Sequence, residues 1–501
     1  METTVKIIVS SKKNLQAKYE KKFTAVEKLL SDLIAADKKK NIITSLVYID
    51  DPASAKKAGI TAVKSITRAS CKKAVDDLYK KLQPAYIAIF GAQDIIPFQE
   101  INNPAQDDDD TVPSDLPYAC DSAYSNKISS FTGPTRVVGR IPDIPGRGDI
   151  AYLKIVFRNI ISHKQVKADK LTNYFSVTAA VWRKSTQQSL INIFGNCAKL
   201  QDSPPAVSGY TAAELKRLTH FYNCHGSPID SKYYGQKGNN YPTALDAPDL
   251  KGKVSAGAIV AAECCYGVQL YNPDDSDNNE LSVANAYFKN KAVAMAGSSN
   301  IAYGPADSQG LADLIAQYFI KNVIAGASTG RAMLEARQKF LSVSGPQLDP
   351  YELKTLAQFY MLGDPSLVPV FKDPIDTGEE TNKNRRLNLF NKGVNLSATV
   401  APSERVDFQK GAAKASVSGE LQKIFKLTGF TGQEKEFHYK VKPKSSKNSA
   451  FAKAMMGTED VMFRAFIRKP ENINKKINIF DVLVLKESGG TLLGWKIYHR
   501  K

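Results

Sequence analysis

The chain has 501 residues, 43% hydrophobic and 9% aromatic, a composition that builds a packed core and excludes a disordered polypeptide. Six cysteines and five histidines, without a CxxC or paired ligand spacing, exclude a disulfide scaffold or zinc cluster; reduced thiols, no metal and no cofactor are expected. The formal charge of +18 is uneven: residues 381–501 hold 24 Lys and Arg against 10 Asp and Glu, residues 1–380 hold 44 against 40, which sets the C-terminal quarter apart as a basic domain.

The N-terminus, from Met1 to Val9, reads as a first strand rather than a signal peptide. No apolar run approaches the roughly 20 residues of a membrane span, so a cytoplasmic protein is expected. Val5–Val9 and Ser45–Ile49 are expected strands, with a long amphipathic helix over Gln16–Lys38 between them, where Tyr19, Phe23, Val26, Leu30 and Leu33 recur at helical spacing. A helix over Cys71–Leu82 leads to an apolar strand, Ala85–Phe90. Asn102–Asp115, with four consecutive aspartates from Asp107, reads as a solvated loop. Arg136–Val138 is a short strand and Asp149–Ile161 a helix.

The alternation resumes with strands Phe175–Val181, Phe221–Asn223, Ala258–Ala262 and Ala292–Ala296. The helices between and after them are Gln188–Leu200, Ala212–Leu218, Leu281–Lys289, Leu311–Val323 and Thr329–Leu341. Fully apolar strands alternating with helices predict parallel sheets covered on both faces, with sites beyond the carboxyl ends of the strands. A boundary falls near Phe371–Pro374, with a polar linker through Arg386. Beyond it, period-2 strands at Phe437–Val441, Val461–Ile467, Ile477–Leu485 and Leu492–Tyr498 predict a mainly β unit. The expected division is 1–165 and 166–375 as two α/β halves of one domain, and 376–501 as the basic β domain.

Two strand ends carry chemistry. One runs His220-Phe221-Tyr222-Asn223-Cys224-His225-Gly226. The next runs Ala258-Ile259-Val260-Ala261-Ala262-Glu263-Cys264-Cys265-Tyr266-Gly267. A histidine and a cysteine at neighbouring carboxyl ends of a parallel sheet suit a thiol nucleophile and its general base. His225 fits the base, and the N–H groups of Gly226 and the nucleophile fit an oxyanion hole. His220 starts its strand and is read as structural; Cys224 is read as core.

The strand ending in His-Gly followed by one ending in Cys resembles the caspase-fold (clan CD) cysteine peptidases. Four further segments narrow the resemblance to the gingipain type: Ala85–Pro97, Ser114–Ala119, Val137–Pro142 and Leu362–Leu367, in that order across residues 1–370. The resemblance implies a caspase-like catalytic domain in two α/β halves and a cysteine endopeptidase acting on protein substrates through a Cys–His dyad, with His225 as base and acid. Cys-x-x-Gly spacing selects Cys264 as nucleophile, and the caspase spacing Cys-x-Gly selects Cys265; Cys264 is preferred, and Glu263 departs from the small residue usual before the nucleophile. Ser298 and Ser299 are expected to wall the specificity pocket, and Asp115, Asp121 and the loop Asp274–Asp277 are candidate acids for a basic P1 residue. A cytoplasmic peptidase needs restraint by an activator or regulatory protein, as in bacterial defence or cell death. The alternatives are an inactive scaffold of the same fold, or a protein that binds through the basic domain; no nucleic-acid motif is present. Arg140 is expected to pair with a buried carboxylate, and Asp364 to bond local backbone in a turn.

Overall fold

The computed structural model describes residues 4–204, 209–371, 400–406, 419–441, 460–469, 477 and 479–501. The expected linker through Arg386 lies outside them.

Strands in the first part of the chain are β1 (Thr4–Ser10), β2 (Ile42–Tyr48), β3 (Tyr86–Phe90), β4 (Gln99–Asn102), β5 (Thr111–Ser114), β6 (Val138–Ile141), β7 (Tyr174–Ala179), β8 (Leu200–Ser203) and β9 (Thr219–Asn223). A short antiparallel trio follows, β10 (His225–Gly226), β11 (Lys232–Tyr234) and β12 (Thr243–Asp246), then β13 (Ala258–Ala262) and β14 (Ala292–Ser298). The rest are β15 (Tyr303–Gly304), β16 (Gln347–Leu348), β17 (Phe359–Gly363), β18 (Ala401–Val406), β19 (Lys435–Val441), β20 (Val461–Arg468), β21 (Asp481–Ser488) and β22 (Thr491–Arg500).

Ten strands make one sheet in the order β2-β1-β3-β6-β17-β14-β13-β9-β7-β8. Each half is parallel within itself, and the halves meet where β17 runs antiparallel to β14 and parallel to β6. Every residue of β9, β13 and β14 is buried, as expected of strands with helices on both faces. The fold is the caspase-like α/β arrangement. β9 and β13 are adjacent and in parallel register, Val260 beside His220 and Ala262 beside Tyr222, so His225 and the cysteine pair emerge at one edge.

A seven-stranded, mostly antiparallel sheet has the order β15-β22-β21-β20-β19-β18-β16. Helix Gly419–Thr428 lays Leu421, Ile424 and Phe425 against Phe466, Leu483 and Leu485 of this sheet. Its edge strands β15 and β16 come from the first 370 residues, so the basic strand-rich region is stitched to the catalytic part through main-chain hydrogen bonds. Several of its cations are paired: Arg464 with Glu436 and Glu487, Arg468 with Asp481, and Lys496 with Glu352.

Several expected elements shift at their ends, among them the strands read as Arg136–Val138 and Ile477–Leu485, which are Val138–Ile141 and Asp481–Ser488, and three differ in kind or extent. The helix read as Gln16–Lys38 is two, Lys12–Tyr19 and Phe23–Lys39, broken at Glu20, whose φ is +48°. The helix read as Gln188–Leu200 is Arg183–Phe194, ended by Gly195 at φ +75°. Asn102–Asp115 is not a solvated loop: it forms the β4–β5 hairpin, and its tip turns Asp107 and Asp109 inward onto the buried Lys354 ammonium at 2.5 and 2.7 Å.

Candidate active site

Both strand ends are fixed by main-chain contacts. The Glu263 N–H donates to Tyr222 O at 2.8 Å, extending the β13–β9 ladder past Ala262. A Cβ on Gly226 would stand 1.7 Å from the Cys265 carbonyl oxygen, so the two backbones touch there and no side chain fits. The cysteine turn is braced on all sides. Ser298 Oγ donates to Cys264 O at 2.6 Å, Tyr233 OH to Gly267 O at 2.5 Å and Tyr360 OH to Val268 O at 2.6 Å. Tyr266 takes a φ of +54°, a conformation costly for a bulky residue and kept only where the surroundings enforce it.

The two thiols face different surroundings. Cys264 is buried with Cys224, which hydrogen-bonds to it; burial first, and that contact second, push its thiol well above the usual range. Cys265 Sγ accepts from Ala302 N–H at 3.2 Å and bonds Ala302 O at 3.5 Å. Burial raises its thiol too, but the Arg500 guanidinium opposes this by charge and a hydrogen bond. Arg500 also acts on His225. Arg500 is thus a shared neighbour of Cys265 and His225.

His225 stacks edge-on against Trp182, ring centroids 4.4 Å apart. Its Nε2 lies 2.7 Å from Gln236 Oε1. The Gln236 amide nitrogen donates to Gly238 O and to Tyr241 OH, each at 3.0 Å, which leaves the amide oxygen for the imidazole. Nε2 therefore carries the proton and donates. Nδ1 is the free lone pair, buried and without a hydrogen-bond partner. Burial, with Arg500 and Lys501 adding to it and the Gln236 bond opposing, pulls this imidazole down to about 3.

Beside Cys265 is a buried acidic pocket. Glu263 and Asp313, both fully buried, hold the equally buried Lys501 ammonium; Glu263 Oε2 is 3.1 Å from Nζ, and Asp313 Oδ1 also accepts from it. Burial, and the proximity of Asp313, hold the Glu263 carboxyl well above the usual range, with the Lys501 ammonium opposing them. Lys501 Nζ also lies 5.5 Å from the Trp182 ring centroid. The Cys265 N–H donates to Lys501 O at 3.2 Å. Next to this, a cleft of about 430 Å³ is lined by Asp230, Tyr266, Asp275, Asp277, Ile301 and Arg500 among others.

Of the other sequence-derived candidates, Asp275 and Asp277 line this cleft and Ser298 lies under the cysteine turn, whereas Asp115 and Asp121 are paired with arginines. Asp115 is buried in a two-point pair with Arg140, at 2.9 Å to Nε and 2.6 Å to Nη2. Arg140 Nη1 donates to Gly91 O and Ile96 O. Asp115 is thus committed to the core, as the reading of Arg140 required, and is no pocket acid. Asp121 pairs with Arg136 at 2.6 Å. Ser298 braces the cysteine turn, and Ser299 donates its N–H to Gln358 O at 3.1 Å. Asp364 accepts from Ser366 N–H at 2.9 Å and from Lys6 Nζ at 2.6 Å. Gln236, Trp182, Asp313 and Asp109 were missed. Asp109 accepts from Ile301 N–H at 2.9 Å and Tyr266 OH at 3.0 Å, fixing the segment that faces Cys265. Asp313 did leave a signal, the lone acid of its helix, directly before the apolar run Leu314-Ile315-Ala316.

Residues 7–370 match the model of peptidase family C25. The chain belongs to peptidase family C25. It is a caspase-fold cysteine peptidase of the gingipain kind, a hydrolase. No curated protein sequence matches it. A similar solved structure is the separase–securin complex of Saccharomyces cerevisiae, at 12% identity and a TM-score of 0.28, covering 47% of this chain and 14% of that one; the chain thus corresponds to a small part of that protein. Among the described residues, no cluster of His, Cys, Asp or Glu is placed to hold a metal ion, and no helix is long and apolar enough to cross a membrane.

Proposed function

We propose that this C25 peptidase is a regulated endopeptidase that cleaves protein chains after a lysine, with Cys265 as nucleophile and His225 as general base and acid. One observation carries the reading: the Cys265 N–H bonds the carbonyl oxygen of a lysine whose ammonium is held between Glu263 and Asp313. That carbonyl oxygen is where the oxyanion of an attacked peptide bond would develop. The choice of Cys265 over Cys264 rests on the neighbours of each sulfur, Arg500 and Ala302 against Cys224.

The steps follow from these groups. His225 Nδ1 takes the thiol proton, and Sγ attacks the carbonyl carbon. The developing oxyanion is held by the Cys265 N–H, with the Gly226 N–H as the second donor. The imidazolium returns the proton to the leaving amine as the C–N bond breaks, leaving a thioester. Water, deprotonated by the same imidazole, attacks the thioester and releases the acid. Gln236 keeps the proton on Nε2, so that the free lone pair is on Nδ1. The filled pocket supports the regulated part of the reading, on which a role in defence or cell death would depend.

The test is prolonged incubation of the full chain with peptidyl acyloxymethyl ketones carrying Lys, Arg, Asp or Leu at P1, mapped by mass spectrometry. The lysyl probe should label Cys265, and His225→Ala should abolish labelling. Cys264→Ser should leave it intact. Labelling of Cys264, or preference for the aspartyl probe, would sink the assignment.

A further inference from the structure

The end of β22 lies in the site in the manner of a bound peptide. Peptide substrates commonly add a strand to an open sheet edge, with main-chain hydrogen bonds for affinity and side-chain pockets for specificity. β22 pairs antiparallel with β15, Arg500 opposite Tyr303 and His499 opposite Gly304. The Lys501 N–H donates to Ala302 O at 2.9 Å, and Lys501 O accepts from Cys265 N–H. The lysine is thus gripped at both main-chain groups, at the residue position whose carbonyl faces the nucleophile.

The pocket is cut to this side chain. A Cβ on Gly304 would stand 2.2 Å from Lys501 Cε and 2.8 Å from Nζ, so the absence of a side chain there makes room for the lysine stem. Glu263, Asp313 and the Trp182 ring surround the ammonium. Arg500 lies against Cys265, with its guanidinium hydrogen-bonded to the thiol. Cys265 is fully buried, and His225 nearly so. A thiol in that state meets neither water nor a substrate chain.

We propose that the C-terminal strand is a built-in substrate mimic: Lys501 fills the P1 pocket of Glu263, Asp313, Trp182 and Gly304, and the peptidase is inactive until β22 lets go of β15. This rests on the peptidase reading above and adds its regulation. Release needs little unfolding. The β22–β15 pairing is two residues long, and β22 pairs with β21 from Thr491 to His499, so freeing Arg500 and Lys501 breaks that short pairing and the Arg500 N–H bond to Phe480 O while the rest of the β22–β21 ladder stays. A cationic segment from a partner or substrate that competes for the pocket would open it.

The experiment compares the full chain with Lys501→Ser and with Lys501→Gln, the second filling similar volume without charge. Three readings are taken: the rate at which iodoacetamide alkylates Cys265, the melting temperature, and turnover of a peptide with lysine at P1. Either variant should alkylate at least tenfold faster than the parent chain and should turn over the lysyl peptide. Acetyl-lysine methylamide should raise the melting temperature of Lys501→Ser and slow its alkylation, whereas acetyl-norleucine methylamide should do neither; this rescue also shows that the variant is folded. Equal alkylation rates in parent and variants, or full turnover by the parent without a lag, would overturn the proposal and leave the peptidase reading standing. Exposure of Cys265 and rescue by the lysine analogue, with no cleavage of any peptide, would sustain the mimic and sink the peptidase reading.

Discussion

Replacing Asp115 by alanine separates a structural acid from a substrate-binding one. Arg140 is fully buried. Its Nε and Nη2 donate to Asp115, its Nη1 donates to Gly91 O and Ile96 O, and its guanidinium lies 4.2 Å from the Phe98 ring centroid. The charge stays buried when its carboxylate is removed, because the two carbonyls and the ring still hold it. Breaking a buried pair in this way costs about 3–5 kcal/mol. For a domain of a few hundred residues that lowers the melting temperature by on the order of 10 °C. The double variant Asp115→Ala/Arg140→Met should recover most of the loss, since it removes both charges and fills the space with an apolar chain. The assay is thermal unfolding, alongside KM for a lysyl peptide in a released form such as Lys501→Ser. The expected result is a large drop in stability, KM within about twofold, and recovery in the double variant. An unchanged melting temperature with KM raised tenfold or more would refute the reasoning and return Asp115 to the substrate pocket.

In the released Lys501→Ser form, Gln236→Leu should lower kcat by about tenfold to a hundredfold with little change in KM, less than the 10²–10⁴ typical of losing the base itself, because the imidazole loses the acceptor that fixes its tautomer; an unchanged kcat would mean that Gln236 does not orient it. Gly226→Ala should abolish turnover and lower the melting temperature, since its Cβ would stand 1.7 Å from Cys265 O and force the strand ends apart. Asp109→Ala should weaken peptide binding and destabilise the fold by a few kcal/mol, about 1–3 for each buried group it strands, read as a raised KM and an earlier unfolding transition. His220, pulled down to about 4 by burial, lies below its solution value of about 6.5. Unfolding therefore takes up a proton between those two pH values, and stability falls as pH falls through that window. The difference between the parent and His220→Gln should slope by up to about 1.4 kcal/mol per pH unit there and be flat above pH 7; a flat difference throughout would show that the ring is already charged in the fold.

Most of the large sheet was legible because its inner strands, such as β1, β3, β13 and β14, are short apolar runs bounded by turn residues. Ala258–Ala262 matched to the residue, Thr4–Ser10 is one residue longer at each end than expected, and Tyr86–Phe90 is one residue shorter at its start. β17 was not legible. It follows helix Pro350–Gln358 with no loop between them, so no glycine, proline or polar cluster marks where the period changes from 3.6 to 2. The hairpin around Asp107–Asp110 failed for another reason. A run of four acids reads as solvated until its partner is known, and the partner, Lys354, is 247 residues away from Asp107 and fully buried.

The same limit governs the active site. Alternation along β13 cannot choose between Cys264 and Cys265, because the strand ends at Ala262 and the chain turns through a positive φ at Tyr266. What separates the two sulfurs is which distant groups close on each: Cys224 on one side, Arg500 and Ala302 on the other. Glu263 was the visible clue, a charged residue directly after five buried apolar ones. An acid there is tolerated inside a protein when a cation meets it. The cation comes from Lys501, 238 residues on, and a substrate lysine would have to match what that residue already provides: an ammonium for two carboxyls, a stem over Gly304 and a carbonyl for the Cys265 N–H. On the proposed reading, the preference for lysine and the self-occupation have one source: buried carboxyls that are most stable with an ammonium beside them.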